Sequence, residues 1–288
     1  MAVPGADVFP HRELELRIHD MIMETLRDAP VASVLTEELG EWTPLDTSHS
    51  LSVAFEPLDG SSHFDANLSV GTIFSILPPD SGGDMIYRGG GQVAAGFFLY
   101  GPQTTLVLTL GEGVDVYTLD RRDQTWRLTR ARAMVPTGTP EYAINASNGH
   151  WEEFVRAFME DYPNQVAQPR ADNGKMRWVG ALVAEAYRVL VRGGVYLYPS
   201  DQHAAHRGGR SRLIYEAHPI AFIMEQAGGR ASTGRARIID LSASHPQERV
   251  PLIFGCADQV AFIERLLAAP ALRQEVSPLF GRRGLFRN

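Results

Sequence analysis

Apolar residues recur at Leu14, Ile18, Met21, Ile22 and Leu26 among charged ones, a spacing that predicts one amphipathic helix over residues 11–28. Two short runs of a different kind follow. Val34-Leu35-Thr36 leads straight into Glu37-Glu38, a short strand ending in two acids, and Leu51-Ser52-Val53-Ala54-Phe55 has the β-branched and aromatic content of a buried strand. Pro57 cannot donate to a ladder and Asp59-Gly60-Ser61-Ser62 is turn chemistry, so Glu56 and Asp59 arrive in a loop at that strand's end. After residue 76 the chain turns β-rich, with strands predicted over residues 94–100, 104–110, 114–119 and 126–130. Pro78-Pro79 and the glycines between positions 82 and 91 interrupt it. No helix opens after Gly89-Gly90-Gly91, so this is a loop and not a dinucleotide-binding fingerprint.

The turn-rich break from Pro136 to Pro140 divides the chain into a predicted domain of residues 1–138 and a second of residues 139–288. Beyond it strands and helices alternate, as in an α/β half. Strands are predicted over residues 142–147, 195–198 and 252–255, helices over 151–159, 178–191 and 259–267, and residues 211–215 lead into Glu216. A further helix carries Ile220, Ile223, Met224 and Ala227 and closes at Gly228-Gly229. The tail from Pro270, with four arginines among scattered Leu and Phe, has no period.

Composition narrows the functional classes. A chain of 288 residues, 44% hydrophobic and 21% charged, has the make-up of a globular protein. Its net charge of −7 argues against non-specific binding to nucleic acid or anionic lipid. Arg121, Arg122, Arg127, Arg130 and Arg132 flank a hairpin that also holds Asp120 and Asp123, which reads as a solvated strand edge. Cys256 is the single cysteine, so no internal disulfide forms, which fits a reducing compartment. With no basic and apolar leader in MAVPGADVF and no run of eighteen apolar residues, a cytoplasmic protein without a membrane span is expected.

Glu56 and Asp59, beside the free backbone N–H groups of Gly60, Ser61 and Ser62, can hold a hard cation and a phosphate together. An acidic turn closing a strand would account for the same residues. The longer stretch EPLDGSSHFDANLSVGTIF, however, resembles the DPLDGSSN(I/F)D…SVGTIF signature of class I fructose-1,6-bisphosphatases, magnesium-dependent sugar phosphatases. Glu37-Glu38 resembles that family's upstream (S/T)EE, and Glu15 stands near the Asp of its KLD segment. In the second half YAINAS resembles YS(I/L)NEG, and MRWVGALVAEAYRVLVRGGVYLYP and GRSRLIYEAHPIAFIMEQAGG resemble two further family blocks. The stretch GFFLYGPQTTLVLTLGEGV is similar to the Calvin-cycle bisphosphatases of autotrophic bacteria.

The resemblance implies the layered sugar-phosphatase fold, alternating helices with mixed β-sheets. It also implies Mg²⁺, with Mn²⁺ as a substitute, held by Glu37, Glu56, the Leu58 carbonyl, Asp59 and Glu216. Glu38 with Glu15 would activate water. Gly60, Ser61, Ser62 and Arg212 would bind the reacting phosphate, Arg210 the sugar, and Asn145, Arg177, Trp178 and Tyr198 the remote phosphate. The implied substrate is fructose 1,6-bisphosphate, or also sedoheptulose 1,7-bisphosphate, and the implied assembly is a homodimer or homotetramer with Arg177 reaching a neighbouring site. Three departures stand out. Glu replaces Asp at positions 15 and 56, His63 replaces the usual Asn, and the sequence starts so near Glu15 that the family's AMP-site helices are expected to be missing. The two altered carboxylates leave open a second reading, a family-fold protein that binds sugar phosphate or a partner subunit without turnover. His203 and His206 resemble a metal pair without a third ligand nearby.

Overall fold

The computed structural model describes residues 11–78, 89–139, 141–145, 175–200 and 208–268. Its first sheet is built from β1 (Val31–Thr36), β2 (Thr43–Pro44), β3 (Leu51–Asp59), β4 (Val70–Leu77), β5 (Ala94–Tyr100), β6 (Thr104–Thr109), β7 (Val114–Asp120) and β8 (Thr125–Arg130). The spatial order is β2-β1-β3-β4-β5-β6-β7-β8, antiparallel throughout except for the parallel β1–β3 pair. The second sheet uses β9 (Glu141–Ile144), β10 (Lys175–Met176), β11 (Val195–Tyr198), β13 (Arg230–Ser232) and β15 (Leu252–Gly255), in the order β10-β9-β11-β15-β13. A small ladder pairs β12 (Ser211–Arg212) with β14 (Arg249–Val250).

Alternation along the strands decides which layer each residue joins, because successive side chains leave a strand on opposite faces. Val34, Val53 and Phe55 face outward and pack with Met23 of α1 (His11–Arg27), the predicted first helix. Leu35 and Ala54 face inward and join the main core, together with α2 (Leu182–Arg192) and α3 (His218–Gln226). These two helices touch both sheets, and α4 (Ala257–Ala268) covers the far side of the second. The result is helix, sheet, helices, sheet, helix: the layered α/β architecture expected.

The hairpin arginines form a solvated edge, since Asp120 takes Arg122 at 2.8 Å and Arg127 at 3.1 Å. Two elements depart from the sequence expectation, and β3 is one. It runs on through Pro57 to Asp59, so Glu56 and Asp59 lie on the strand and not in a loop after it. The irregular register between them accommodates a residue that cannot donate to the ladder. The helix expected from residue 178 begins only at Leu182, because Gly180 sits at φ 99° and Ala181 is extended before it. The run of residues 211–215 that leads into Glu216 is strand only to Arg212, and Leu213–Ala217 winds as a single π-turn into α3. Leu213, Ile214, Tyr215 and Ala217 are all buried, and a short run buried on every side carries no period that separates strand from helix. The helix expected at 151–159, His203 and His206, and the tail from Pro270 lie outside the described residues. No helix among the described residues is long and apolar enough to cross a membrane.

Candidate active site

Glu56 and Asp59 are an odd number of residues apart, so a regular strand would point them to opposite faces. A bulge prevents this. Glu56 pairs with Ile73 and Asp59 with Gly71, so three steps on β3 match two on β4 and both carboxylates turn inward. Glu56 is buried and follows Ala54 on the inward face. Asp59 reaches the start of α2, where its Oδ2 accepts the Val183 N–H at 2.8 Å; the Leu182 N–H donates to the same carboxylate. It thereby caps a helix that begins more than a hundred residues later in the chain.

Two other segments bring further acids. β1 ends immediately before Glu37, which ion-pairs with the Arg212 guanidinium and stands against the Glu56 carboxylate. The π-turn carries Glu216, whose Oε2 accepts the Arg212 N–H at 3.0 Å. A π-turn of this kind often marks a functional position, because it re-aims one side chain within an otherwise continuous helix entry. Here the re-aimed residue is Glu216.

The electrostatics follow from crowding carboxylates in a poorly solvated space. Burial, then the Glu37 carboxylate, push Glu56 well above the ordinary carboxylate range. Burial raises Asp59 to about 7, against the lowering effect of the two α2 amides. Burial and the neighbouring Asp59 charge raise Glu216 to about 8. Burial likewise pushes the Tyr215 hydroxyl up, with Glu37 and Glu56 adding to the shift.

Three buried polar atoms of this cluster lack a partner among the described residues: Glu56 Oε2, Arg212 Nη1 and the Tyr215 hydroxyl. Orphaned groups of this kind are costly and rare in folded proteins, and their convergence marks a place for a polar ligand. The oxygen donors suit a hard divalent cation. In the geometry described, with Arg212 drawn onto Glu37, no three carboxylate, imidazole or thiol groups among the described residues stand close enough together to grip an ion.

The remaining predicted residues surround this cluster. Gly60 adopts φ 80°, and a Cβ there would meet that of Ala181 at 2.6 Å, so the Gly60–Ser61 turn lies against the start of α2. Ser61 and Ser62 open the short 3-10 turn that follows. Leu58 is buried on β3. Glu38 pairs with Arg12 of α1 at 3.6 Å, and Glu15 is half-buried on the same helix. Asn145 directly follows β9, hydrogen-bonded through its side chain to Tyr196 and through its N–H to the Leu197 carbonyl at 2.8 Å. Tyr198 ends the neighbouring β11 and meets Tyr196 edge-on. Arg177 and Trp178 are both about half exposed, at 48% each; Arg177 Nε lies 3.5 Å from Glu141 Oε1. Arg210 directly precedes β12.

Three participants were not foreseen: Tyr215, the Leu182 and Val183 amides, and the position of His63 against Trp178. The first lay inside a quoted motif, but a buried hydroxyl leaves no local signal; the amides became visible only once the folded chain brought α2 to Asp59.

Comparison with known proteins identifies the family. The family model described as fructose-1-6-bisphosphatase, N-terminal domain, matches residues 10–131, and that described as fructose-1-6-bisphosphatase, C-terminal domain, matches residues 135–268. A class 1 fructose-1,6-bisphosphatase of Rhodopseudomonas palustris (strain HaA2) is 51% identical over 285 residues, spanning 98% of this chain and 83% of that protein. One from Nitrobacter hamburgensis is 48% identical over 280 residues, with 96% and 81% covered. The crystal structure of Leishmania major fructose-1,6-bisphosphatase in holo form superposes with a TM-score of 0.82 at 32% identity, over 89% of this chain and 84% of that one. The chain belongs to the class 1 fructose-1,6-bisphosphatase family.

Proposed function

We propose that this chain is a phosphoric monoester hydrolase that removes the 1-phosphate of fructose 1,6-bisphosphate and also accepts sedoheptulose 1,7-bisphosphate. The observation that carries the reading is the gathering of Glu37, Glu56, Asp59 and Glu216 from three distant segments around Arg212 and the start of α2. The names of the relatives support the substrate class. Magnesium is the proposed ion, with manganese as a substitute, and Glu37, Glu56, Asp59, Glu216 and the Leu58 carbonyl would hold it. When bound, such an ion neutralises phosphoryl oxygens and lowers the pKa of water.

The chain's own residues supply the rest. Glu38, with Glu15, takes the proton from the attacking water; Glu38 stands on the α1 side of the cluster, where Arg12 pairs with it at 3.6 Å. The Gly60 and Ser61 N–H groups and the Arg212 guanidinium face the negative charge that spreads over the phosphoryl oxygens in an in-line displacement. Ser62 closes the same turn. Asn145, Trp178 and Tyr198 bind the remote phosphate and Arg210 the sugar, and in a homodimer or homotetramer Arg177 adds to the remote-phosphate site of a neighbouring subunit, so that the reacting end is presented in one orientation. Phosphorus NMR of a reaction with fructose 1,6-bisphosphate and Mg²⁺ tests this assignment. Loss of the 1-phosphate resonance with the 6-phosphate retained is expected, and release of the 6-phosphate, or of neither, overturns it.

A further inference from the structure

The loop of residues 59–63 lies along the stretch of residues 177–183 as along a rail. At one end Asp59 accepts the Val183 N–H at 2.8 Å. Gly60 then rests on Ala181. His63 comes next: its imidazole lies over Gly180, where a Cβ would stand 2.8 Å from Nε2, so only glycine leaves the ring its place. The same ring meets Trp178 edge-on, with centroids 5.6 Å apart and planes at 86°. Arg177 follows. His63 is thus placed between the carboxylate cluster and the proposed remote-phosphate residues.

Neither ring belongs to a hydrophobic core cluster. Trp178 is 48% exposed and His63 half-buried, so the pair offers a surface rather than filling an interior. An imidazole nitrogen can donate to or accept from a sugar hydroxyl, and the indole gives a rigid apolar wall.

We propose that His63 and Trp178 form a contact pair that meets the carbon chain between the two phosphates of a bisphosphate and selects on its length. This rests on the function proposed above. The Gly60 turn lies against Ala181, and the Asn145 and Arg177 N–H groups donate to the Leu197 and Tyr142 carbonyls at 2.8 and 2.7 Å, so both phosphate-binding ends are held and a seven-carbon chain must bow between them where a six-carbon chain lies flat. In the proposed pose this bow meets the two rings. They therefore favour the six-carbon substrate.

The experiment is kcat/KM for fructose 1,6-bisphosphate and sedoheptulose 1,7-bisphosphate, measured for the parent, H63N, W178F and the double variant. Each single substitution is expected to shift the six- to seven-carbon ratio about tenfold toward the longer sugar, the size of a one-carbon discrimination in a fitted pocket. The double variant is expected to shift it by less than the product of the two, because both changes remove one shared contact. A ratio unchanged in both single variants, or an equal loss on both sugars, overturns the inference while leaving the phosphatase reading standing. A parent that hydrolyses neither sugar overturns both. Should H63N fail to fold, H63A and W178F carry the same comparison.

Discussion

At the scale of single residues, Glu56 concentrates the conflict between stability and chemistry. Its carboxylate is buried next to two other acids and one of its oxygens has no partner, so removing its charge relieves the fold. Glu56→Gln is expected to stabilise the metal-free protein at pH 8 by on the order of 1 kcal/mol, about 2–4 °C in Tm, while abolishing the further stabilisation by Mg²⁺. Thermal scans with and without the ion check both halves. Asp59 and Glu216, raised to about 7 and about 8, add a pH dependence whose sign is opposite to the usual carboxylate case. The folded protein keeps protons that the unfolded chain gives up above about pH 4, so this stabilisation is complete below about pH 4 and is lost as pH climbs through 7 to 8. The Tm of the metal-free protein is expected to fall across that range, and saturating Mg²⁺ to flatten the decline, since a bound ion replaces the protons. A flat metal-free profile would contradict it. Glu56 and Asp59 were legible as a pair of acids because proline and glycine punctuate the stretch, although the segment that carries them is strand and not loop; the approach of Glu37 to Glu56 was not legible, since it depends on two strands meeting.

Elements deliver these residues through irregularities rather than regular repeats. The β3 bulge, the π-turn and the extended run before α2 each re-aim one acid or one amide, and none has a hydrophobic period to announce it. The long stretches, α1 and β5 to β8, were read nearly to the residue: α1, β6 and β7 carry a period because one side is more buried than the other, while β5, buried almost throughout, and β8, exposed throughout, are marked by β-forming residues between turns. Gly60 joins the two kinds of element. Gly60→Ala forces a left-handed backbone on alanine and drives its Cβ into Ala181, which is expected to cost roughly 1–3 kcal/mol and to displace the turn from α2. A urea midpoint lowered at constant slope, with turnover lost in conditions where the protein is still folded, is the expected pattern. An unchanged midpoint would mean that the turn is not held as described.

For the whole molecule, the layered order explains how one site draws on residues from 37 to 216: α2 and α3 lie between the sheets and carry parts of the site to the edge of β3. The family resemblance made that assembly legible where local patterns could not, because three separated motifs meet only in the folded chain. Arg177 is the residue whose role reaches furthest. Glu141 holds Arg192 at 2.6 Å but Arg177 only at 3.5 Å, leaving Arg177 half exposed and free to serve an anion, in the proposed homodimer or homotetramer one bound in a neighbouring subunit's site. Arg177→Ala is expected to raise KM for the bisphosphate about ten- to a hundredfold, the loss of a charged hydrogen bond of roughly 1.5–3 kcal/mol, without altering metal dependence. An active monomer in sedimentation, or an unchanged KM, would remove the shared role.

The most direct test of the central claim, that carboxylates gathered from three segments form a divalent-ion-dependent phosphatase site, is phosphate release from fructose 1,6-bisphosphate in excess EDTA and again after Mg²⁺ is restored. No release in the chelator and full recovery with the ion is the expected result. Equal release in both would contradict the account.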